Sequence, residues 1–270
     1  MQKHKETTAA VFAGYQKSVT GRMRYVLAQK NIMRLHSLDR PLNILDAAGG
    51  NGVNTRWLAR QGHFVTLLDS DPAMLKQAEQ ELEKLGLLRQ CRTVEGALEK
   101  APDLLPAEHF DLVLCHHVIE YLENPQQLFT AMHRVSGETG ELSLITLNPV
   151  SETIRAIIFR RDPKLARSKL VDQSYDAKWF GQATVYNYDQ IVRWGEEAGW
   201  GIVDFRSIRV LADYISDAEY DDTKEREAIA LEEELSGLEP YRRIGRYLQF
   251  SFRKEPVRVD SHDLAGDRIQ

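Results

Sequence analysis

The sequence predicts an α/β protein built on a seven-stranded, mostly parallel, doubly wound sheet, with an N-terminal helix and helical insertions. Three observations lead there. Short apolar runs alternate with amphipathic helical stretches from Leu42 to Asn148. "NILDAAGGNG" (Asn43–Gly52) reads as a strand running into a glycine turn, and "FVTLLDSD" (Phe64–Asp71) as a second strand that ends in acid.

The elements follow in chain order. Residues 20–37 place Met23, Val26, Leu27 and Met33 at helical spacing and predict an amphipathic helix. Asn43–Asp46 is the first strand, with a helix after Gly52, and Phe64–Leu68 is the second. Asp71–Leu85 reads as a helix capped by Asp71, with Pro72 at its first position and Gly86 beyond its end. Strands at Cys91–Val94 and from Phe110 ("FDLVLCHHVI") follow, then a helix over Pro125–Val135, a turn at Gly137–Gly140 and the strand "ELSLITLN".

Beyond Asn148 the rhythm changes. Residues 149–185 predict a basic, irregular or helical insertion, and Asn187–Ala198 a helix capped by Gly199. Gly201–Arg209 and Tyr247–Arg253 alternate as two more strands around an acidic helical stretch over 216–237. The expected organisation is one domain over 1–254, with a helical cap at 1–40 and insertions at 149–185 and 212–238, then a polar, frayed tail at 255–270.

With 43% apolar and 28% charged residues in a chain of 270, the composition is that of a soluble globular protein with a substantial core. No apolar run approaches the roughly 18 residues that cross a bilayer. The start, "MQKHKETTAAVFAGYQ", lacks the apolar core of a secretory signal. A cytoplasmic setting without membrane contact is therefore expected. Cys91 and Cys115 suggest core thiols rather than a disulfide framework or zinc cluster, and no metal is expected. The formal net charge of −5 argues against a broad nucleic-acid surface but permits a local one. Phe159–Lys169 holds five basic residues and one acid, whereas Asp213–Glu239 holds eleven acids against Lys224 and Arg226.

Three coupled features predict a nucleotide site. Glycines after the first strand allow close backbone approach, and the next helix offers its N-terminal amides. Asp69, ending the second strand, stands where an acid takes both hydroxyls of a ribose. Asp46, ending the first, can accept bonds from the loop or from an ammonium group. The dinucleotide spacing G-x-G-x-x-G is absent; A-G-G-N-G from Ala48 is a compressed turn beside an acid. A pyrophosphate is disfavoured there, and a ligand with a cationic amino-acid tail is favoured. A purely structural turn and a nicotinamide oxidoreductase are the competing readings.

"LDAAGGNG" followed by "LLDSD" resembles the cofactor motifs of class I S-adenosylmethionine-dependent methyltransferases, usually D-x-G-x-G-x-G. Ala48 stands where the first glycine falls, which a backbone of negative φ would tolerate. The resemblance implies an enzyme with S-adenosyl-L-methionine as cofactor. It also implies a cofactor-binding set of Asp46, Ala48, Gly49, Gly50, Gly52, Asp69 and Ser70. Ala97 and Leu98, from "VEGALE", would seat the adenine, and His116 would lie beside the methyl group. Read without the family, His116 and His117 are a strand-end pair, one in the core and one in water.

The chain resembles one member group more closely, the bacterial tRNA 5-carboxymethoxyuridine methyltransferases. The segments that carry this are "TGRMRYVL", "GHFVTLLDSDPAML", "EEAGWGI", "IRVLADYI" and "EPYRRIGRYLQFSFRK", reaching about Lys254. On that likeness Arg24 would contact the cofactor at its carboxylate, and tRNA would be the partner. Phosphate contacts would come from the basic run Arg155, Arg160, Arg161, Lys164, Arg167 and Lys169. Correspondence is poorest over 150–185, so a small-molecule O- or N-methyltransferase and a non-catalytic cofactor-binding protein stay open.

A carboxylate acceptor is already ionised at neutral pH and needs no general base, and no catalytic dyad is found. An arginine should orient it, and Arg209, Arg242, Arg243 and Arg246 are the candidates, with Tyr241 stacking on a base or closing the pocket. Each of these alone reads equally as surface charge or a cap.

Overall fold

The computed structural model describes residues 14–106, 109–177 and 181–255. Its centre is a sheet of β1 (Asn43–Ala47), β2 (Phe64–Asp69), β3 (Cys91–Glu95), β4 (Phe110–His116), β5 (Ser136–Leu147), β8 (Trp200–Ile208) and β9 (Tyr247–Lys254). The order across it is β3-β2-β1-β4-β5-β9-β8, and only β9 runs antiparallel to its neighbours. The predicted seven-stranded, mostly parallel sheet is therefore what forms.

Helices cover both faces because the buried strands are apolar on both sides. On β4, Phe110, Val113 and Cys115 join one core with helices α5 (Pro125–Val135) and α8 (Tyr188–Glu197), while α4 (Ala101–Leu104) packs beside them. Leu112 and Leu114 join the opposite core with α1 (Val19–Leu35), α2 (Val53–Ala59) and α3 (Pro72–Lys84). Helix starts are fixed by short polar side chains. Asp71 accepts from the Ala73 amide at 2.9 Å with Pro72 next, and Asn187 and Gln190 form a capping box on α8.

Two details differ from expectation. The turn at Gly137–Gly140 is a loop bulged out of one long β5: Phe110 pairs with Ser136 and Leu112 with Glu141. The 149–185 insertion holds α6 (Pro149–Ile158), α7 (Pro163–Ser168) and a hairpin of β6 (Ser174–Ala177) and β7 (Gly181–Thr184). The hairpin strands are too short and polar to show a period-two apolar pattern. The acidic stretch forms α9 (Asp222–Leu235), which turns Leu235 and Ile229 inward and leaves Leu231 exposed. It is bound to α1 by ion pairs of Glu233 with Lys30 and Arg34. The expected tail from 256 and the first 13 residues of the expected helical cap lie outside the described residues. Among the described residues, no helix is long and apolar enough to cross a membrane.

Candidate active site

A cavity of about 510 Å³ opens at the carboxyl ends of the parallel strands, where the sheet order reverses between β1 and β4. Its outer half is built from the glycine turn and the ends of β1 and β2. Asp46 Oδ2 accepts from the amide of Thr55 at 3.1 Å and its hydroxyl at 2.7 Å, joining strand to helix. Burial raises this carboxyl to about 6. Asp69 accepts from the Gly50 amide at 2.8 Å and the Asp71 amide at 2.9 Å, and its carboxyl is also raised, chiefly by burial.

Backbone conformation makes the turn. A side chain on Gly49 would put its Cβ 2.4 Å from Leu67 and 2.6 Å from Asp46 Oδ2, so only glycine allows this approach. Ala48 has φ 58° and donates its amide to Leu68 at 2.7 Å. The expectation of a negative φ there is corrected. The chain keeps the left-handed geometry of a glycine and carries a methyl group in it, at about 1 kcal/mol. His117 (φ 59°) and Arg209 (φ 62°) share that conformation, and all three line the cavity. Non-glycine strain of this kind gathers at functional sites.

The inner half is cationic and aromatic. Arg24 lies over the rings of Tyr15 and Tyr25, at 5.3 and 4.7 Å, and donates to the Tyr25 hydroxyl at 2.7 Å. Arg209 is ion-paired with Asp213 and donates to the Tyr15 hydroxyl at 2.6 Å. Arg155 pairs with the same Asp213, and Arg246 pairs with Glu152 and donates to the Tyr175 hydroxyl at 3.0 Å. Glu232 holds the loop that carries Arg209 and Asp213, accepting from the amides of Val210, Leu211 and Ala212 at 2.5–2.7 Å.

His116 sits between the halves. One ring nitrogen lies 3.2 Å from Asn54 Nδ2 and the other 3.0 Å from Ser143 Oγ, which itself accepts from Gln249 at 3.1 Å. Burial drives its pKa down to about 3, and His117 is likewise driven well below its usual value. Both histidines line the cavity as neutral rings, neither in open water nor sealed in the core.

Of the residues singled out in the sequence, Arg24, Asp46, Ala48, Gly49, Gly50, Asp69, His116, Arg209 and Arg246 come together on the cavity wall. Gly52 caps α2 just behind it. Ser70 is exposed beside Asp69. Ala97 and Leu98 lie off the wall; Leu98 turns into the core, although the Gly96 amide bonds the Asp69 carbonyl at 3.0 Å and keeps their loop nearby. Tyr241, Arg242 and Arg243 are placed elsewhere, on a short turn at 241–243. There Arg242 donates to Glu239 at 2.7 Å and Asp204 at 3.1 Å and stacks over Phe205, and Arg243 donates to Glu239 at 2.9 Å. Local counterions hold these side chains, so the expected arginine cluster divides and only Arg246 of that segment enters. Arg155, expected at an RNA surface, enters too. Sequence reading missed Glu120 and the tyrosines at 15, 25, 121, 175 and 247, which follow no motif and meet only in the fold.

The wall suits an adenosyl amino acid. Asp69 can take ribose hydroxyls, Asp46 an ammonium and Arg24 a carboxylate, with Gly49 and Gly50 exposing backbone between them. A family profile described as "Methyltransferase domain" matches residues 45–144, which span β1 to β5. The chain carries a methyltransferase domain of the S-adenosylmethionine-dependent class. The methyltransferase is 26% identical over 244 residues to a tRNA 5-carboxymethoxyuridine methyltransferase of Escherichia coli, covering 87% of this chain and 89% of that one. It is 25% identical over 177 residues to a ubiquinone biosynthesis O-methyltransferase of Pseudomonas fluorescens, covering 63% and 68%. Its fold is that of an S-adenosylmethionine-dependent methyltransferase from Mesorhizobium loti, with TM-score 0.60, 19% identity and coverage of 84% and 98%. A Burkholderia thailandensis 1,6-didemethyltoxoflavin-N1-methyltransferase, solved with S-adenosylhomocysteine, shares it with TM-score 0.53, 16% identity and coverage of 93% and 90%.

Proposed function

We propose that the methyltransferase esterifies the carboxylate of 5-carboxymethoxyuridine at the wobble position of tRNA. The observation that carries this is the convergence of Arg24, Arg155, Arg209 and Arg246 on the inner half of the cavity. Asp213, Glu152 and Glu120 balance part of this charge, and the positive surplus that is left favours an anion at that end. The near full-length likeness to the E. coli tRNA enzyme supports the same acceptor.

Bound S-adenosylmethionine supplies an electrophilic methyl group on a sulfonium. The residues then have to position and exclude water. Asp69 would hold the ribose, and Asp46 with Arg24 the amino-acid end, which leaves Arg155, Arg209 and Arg246 for the acceptor. One guanidinium holding the oxygen that does not attack would orient the other; a grip on both would stabilise the ground state and slow transfer. His116, neutral and bonded through both nitrogens, is suited to shaping the wall rather than to moving protons.

The tRNA phosphates would meet Arg160, Arg161, Lys164 and Arg167, which stand exposed around α7, next to the helix that brings Arg155 into the cavity. Such a substrate places the enzyme in the cytoplasm. Mass spectrometry of wobble nucleosides tests the reading, using tRNA incubated with the protein and methyl-labelled cofactor. The labelled methyl ester of 5-carboxymethoxyuridine is expected. An unchanged nucleoside profile would remove this acceptor, and label on a small metabolite instead would favour a small-molecule enzyme.

A further inference from the structure

Among the titratable groups of the inner half that the chemistry above does not use, one stands directly against two of its arginines. Tyr247, the first residue of β9, lines the wall with its side chain largely buried. The guanidinium carbons of Arg209 and Arg246 lie 5.7 and 5.6 Å from its ring centre. His117 meets the ring edge-on at 4.6 Å and fixes its plane. Asp213 and Glu152 pin those two arginines, so the positive field at the Tyr247 hydroxyl is set before any acceptor arrives.

We propose that Tyr247 determines the acceptor: its neutral hydroxyl donates to the acceptor's anionic oxygen, and its ionised form excludes that anion from the arginines. The proposal rests on the carboxylate acceptor put forward above. A phenol is suited to the task because it donates one hydrogen bond without adding charge, beside guanidiniums that already neutralise an anion.

The groups that face Tyr247 come from every element around it. They are Arg24 on α1, Tyr15 before it, His117 after β4, Tyr121 on the turn at 119–121, Arg209 and Asp213 after β8, and Arg246 before β9. Burial alone would raise the Tyr247 hydroxyl, but Arg209, Arg24 and Arg246 bring it down to about 8. Burial pushes Tyr15 up to about 12, moves Tyr121 up as well, and holds His117 far below neutrality. Tyr247 is thus the tyrosine of this group that loses its proton near 8. The neutral phenol is the binding form, so acceptor recognition is complete below that pH and falls as pH rises through it. A tyrosinate serving as base for a hydroxyl acceptor would give the opposite slope.

Two measurements test this on the full-length protein with S-adenosylhomocysteine bound or cofactor turning over. In the first, phenolate absorbance in the near ultraviolet is followed with pH, with and without acetate as a monocarboxylate probe. A rise with midpoint about 8 is expected in the native protein and not in Tyr247→Phe, with acetate moving the midpoint upward. In the second, kcat/KM for tRNA is followed over the same range. It should fall about tenfold per pH unit above the midpoint in the native enzyme. In Tyr247→Phe it should be lower by about tenfold at neutral pH and free of that fall, with S-adenosylhomocysteine affinity unchanged. An acetate-insensitive midpoint, a fall that persists in Tyr247→Phe, or a rate that climbs through the midpoint would each overturn the proposal. If tRNA is not methylated at all, the proposed acceptor fails, and the acetate titration still decides the role of Tyr247.

Discussion

The amide of Gly50 donates to Oδ2 of Asp69 at 2.8 Å, so the glycine turn and the end of β2 are joined before a nucleoside arrives. Each carboxylate oxygen has two acceptor sites, and Asp69 retains capacity for ribose hydroxyls while holding the turn. Asp69→Ala removes both functions at once. S-adenosylhomocysteine affinity should fall by at least about 100-fold, since hydrogen bonds to a charged group contribute roughly 1.5–3 kcal/mol each. Calorimetry checks this, and unaltered affinity would mean that the ribose is held elsewhere.

Ala48 occupies a left-handed conformation that glycine adopts without strain. Ala48→Gly relieves about 1 kcal/mol in the folded state, and the greater freedom of glycine when unfolded offsets part of it. The expected net gain is about 0.5 kcal/mol in chemical denaturation. A β-branched Val at the same position should lose more than 1 kcal/mol. A destabilised glycine variant would show that the methyl group makes a contact that outweighs its strain.

Asp46 gives the site a pH dependence. Its folded-state pKa of about 6 lies above the usual 3.8, so the folded chain binds this proton more tightly than the unfolded one. Its ionisation therefore costs stability above pH 6, on the order of 3 kcal/mol, and the cost fades as pH falls through 6 toward 4. Asp46→Asn keeps an oxygen for Thr55 and should flatten that part of the stability profile. S-adenosylhomocysteine binding should show the reverse trend in the native protein, weakening as pH drops through 6 and the partner of the ammonium is neutralised. Binding that is level across pH 6 would place the ammonium away from Asp46.

The two arginine sets should behave differently. Arg246→Ala removes a buried guanidinium from the cavity wall and leaves Glu152 buried without its partner. The KM for the acceptor should rise by ten- to a hundredfold, the scale of one lost charge-assisted bond, with a loss of thermal stability as well. Arg242→Ala and Arg243→Ala act on surface ion pairs with Glu239 and should leave that KM within about twofold. Equal effects from all three would mean that the 241–243 turn moves to the cavity when the acceptor binds.

The core of the fold was legible because its signals are local. Apolar runs at β1, β2 and β4, the Asp71–Pro72 helix start and the Gly199 stop each need only a few neighbouring residues. The outer half of the site was legible for the same reason, since one strand–turn–helix–strand unit supplies Asp46, Gly49, Gly50 and Asp69. The inner half was legible only in its arginines: Arg24, Arg209 and Arg246 stood out in the sequence and meet on the wall. Tyr15, Tyr25, Tyr175 and Tyr247 come from elements spread over most of the chain, and a tyrosine in each looks like an ordinary surface residue. Arg242 and Arg243 misled because adjacency to Arg246 does not fix direction. Arg246 turns into the cavity at the head of β9, whereas Asp204 and Glu239 draw Arg242 and Arg243 outward. Ala48 misled in another way, because the sequence fixes neither the sign of φ nor which deviations a hydrogen-bonded turn will enforce.

The central claim is that the cavity beside β1 and β2 is shaped for adenosine joined to an amino acid. A crystal structure of the protein with S-adenosylhomocysteine tests it most directly. The account predicts the ribose on Asp69, the ammonium toward Asp46, the carboxylate at Arg24 and the sulfur pointing to the arginine-lined inner half. A ligand bound anywhere else, or a cavity that stays empty at saturating concentration, would contradict it.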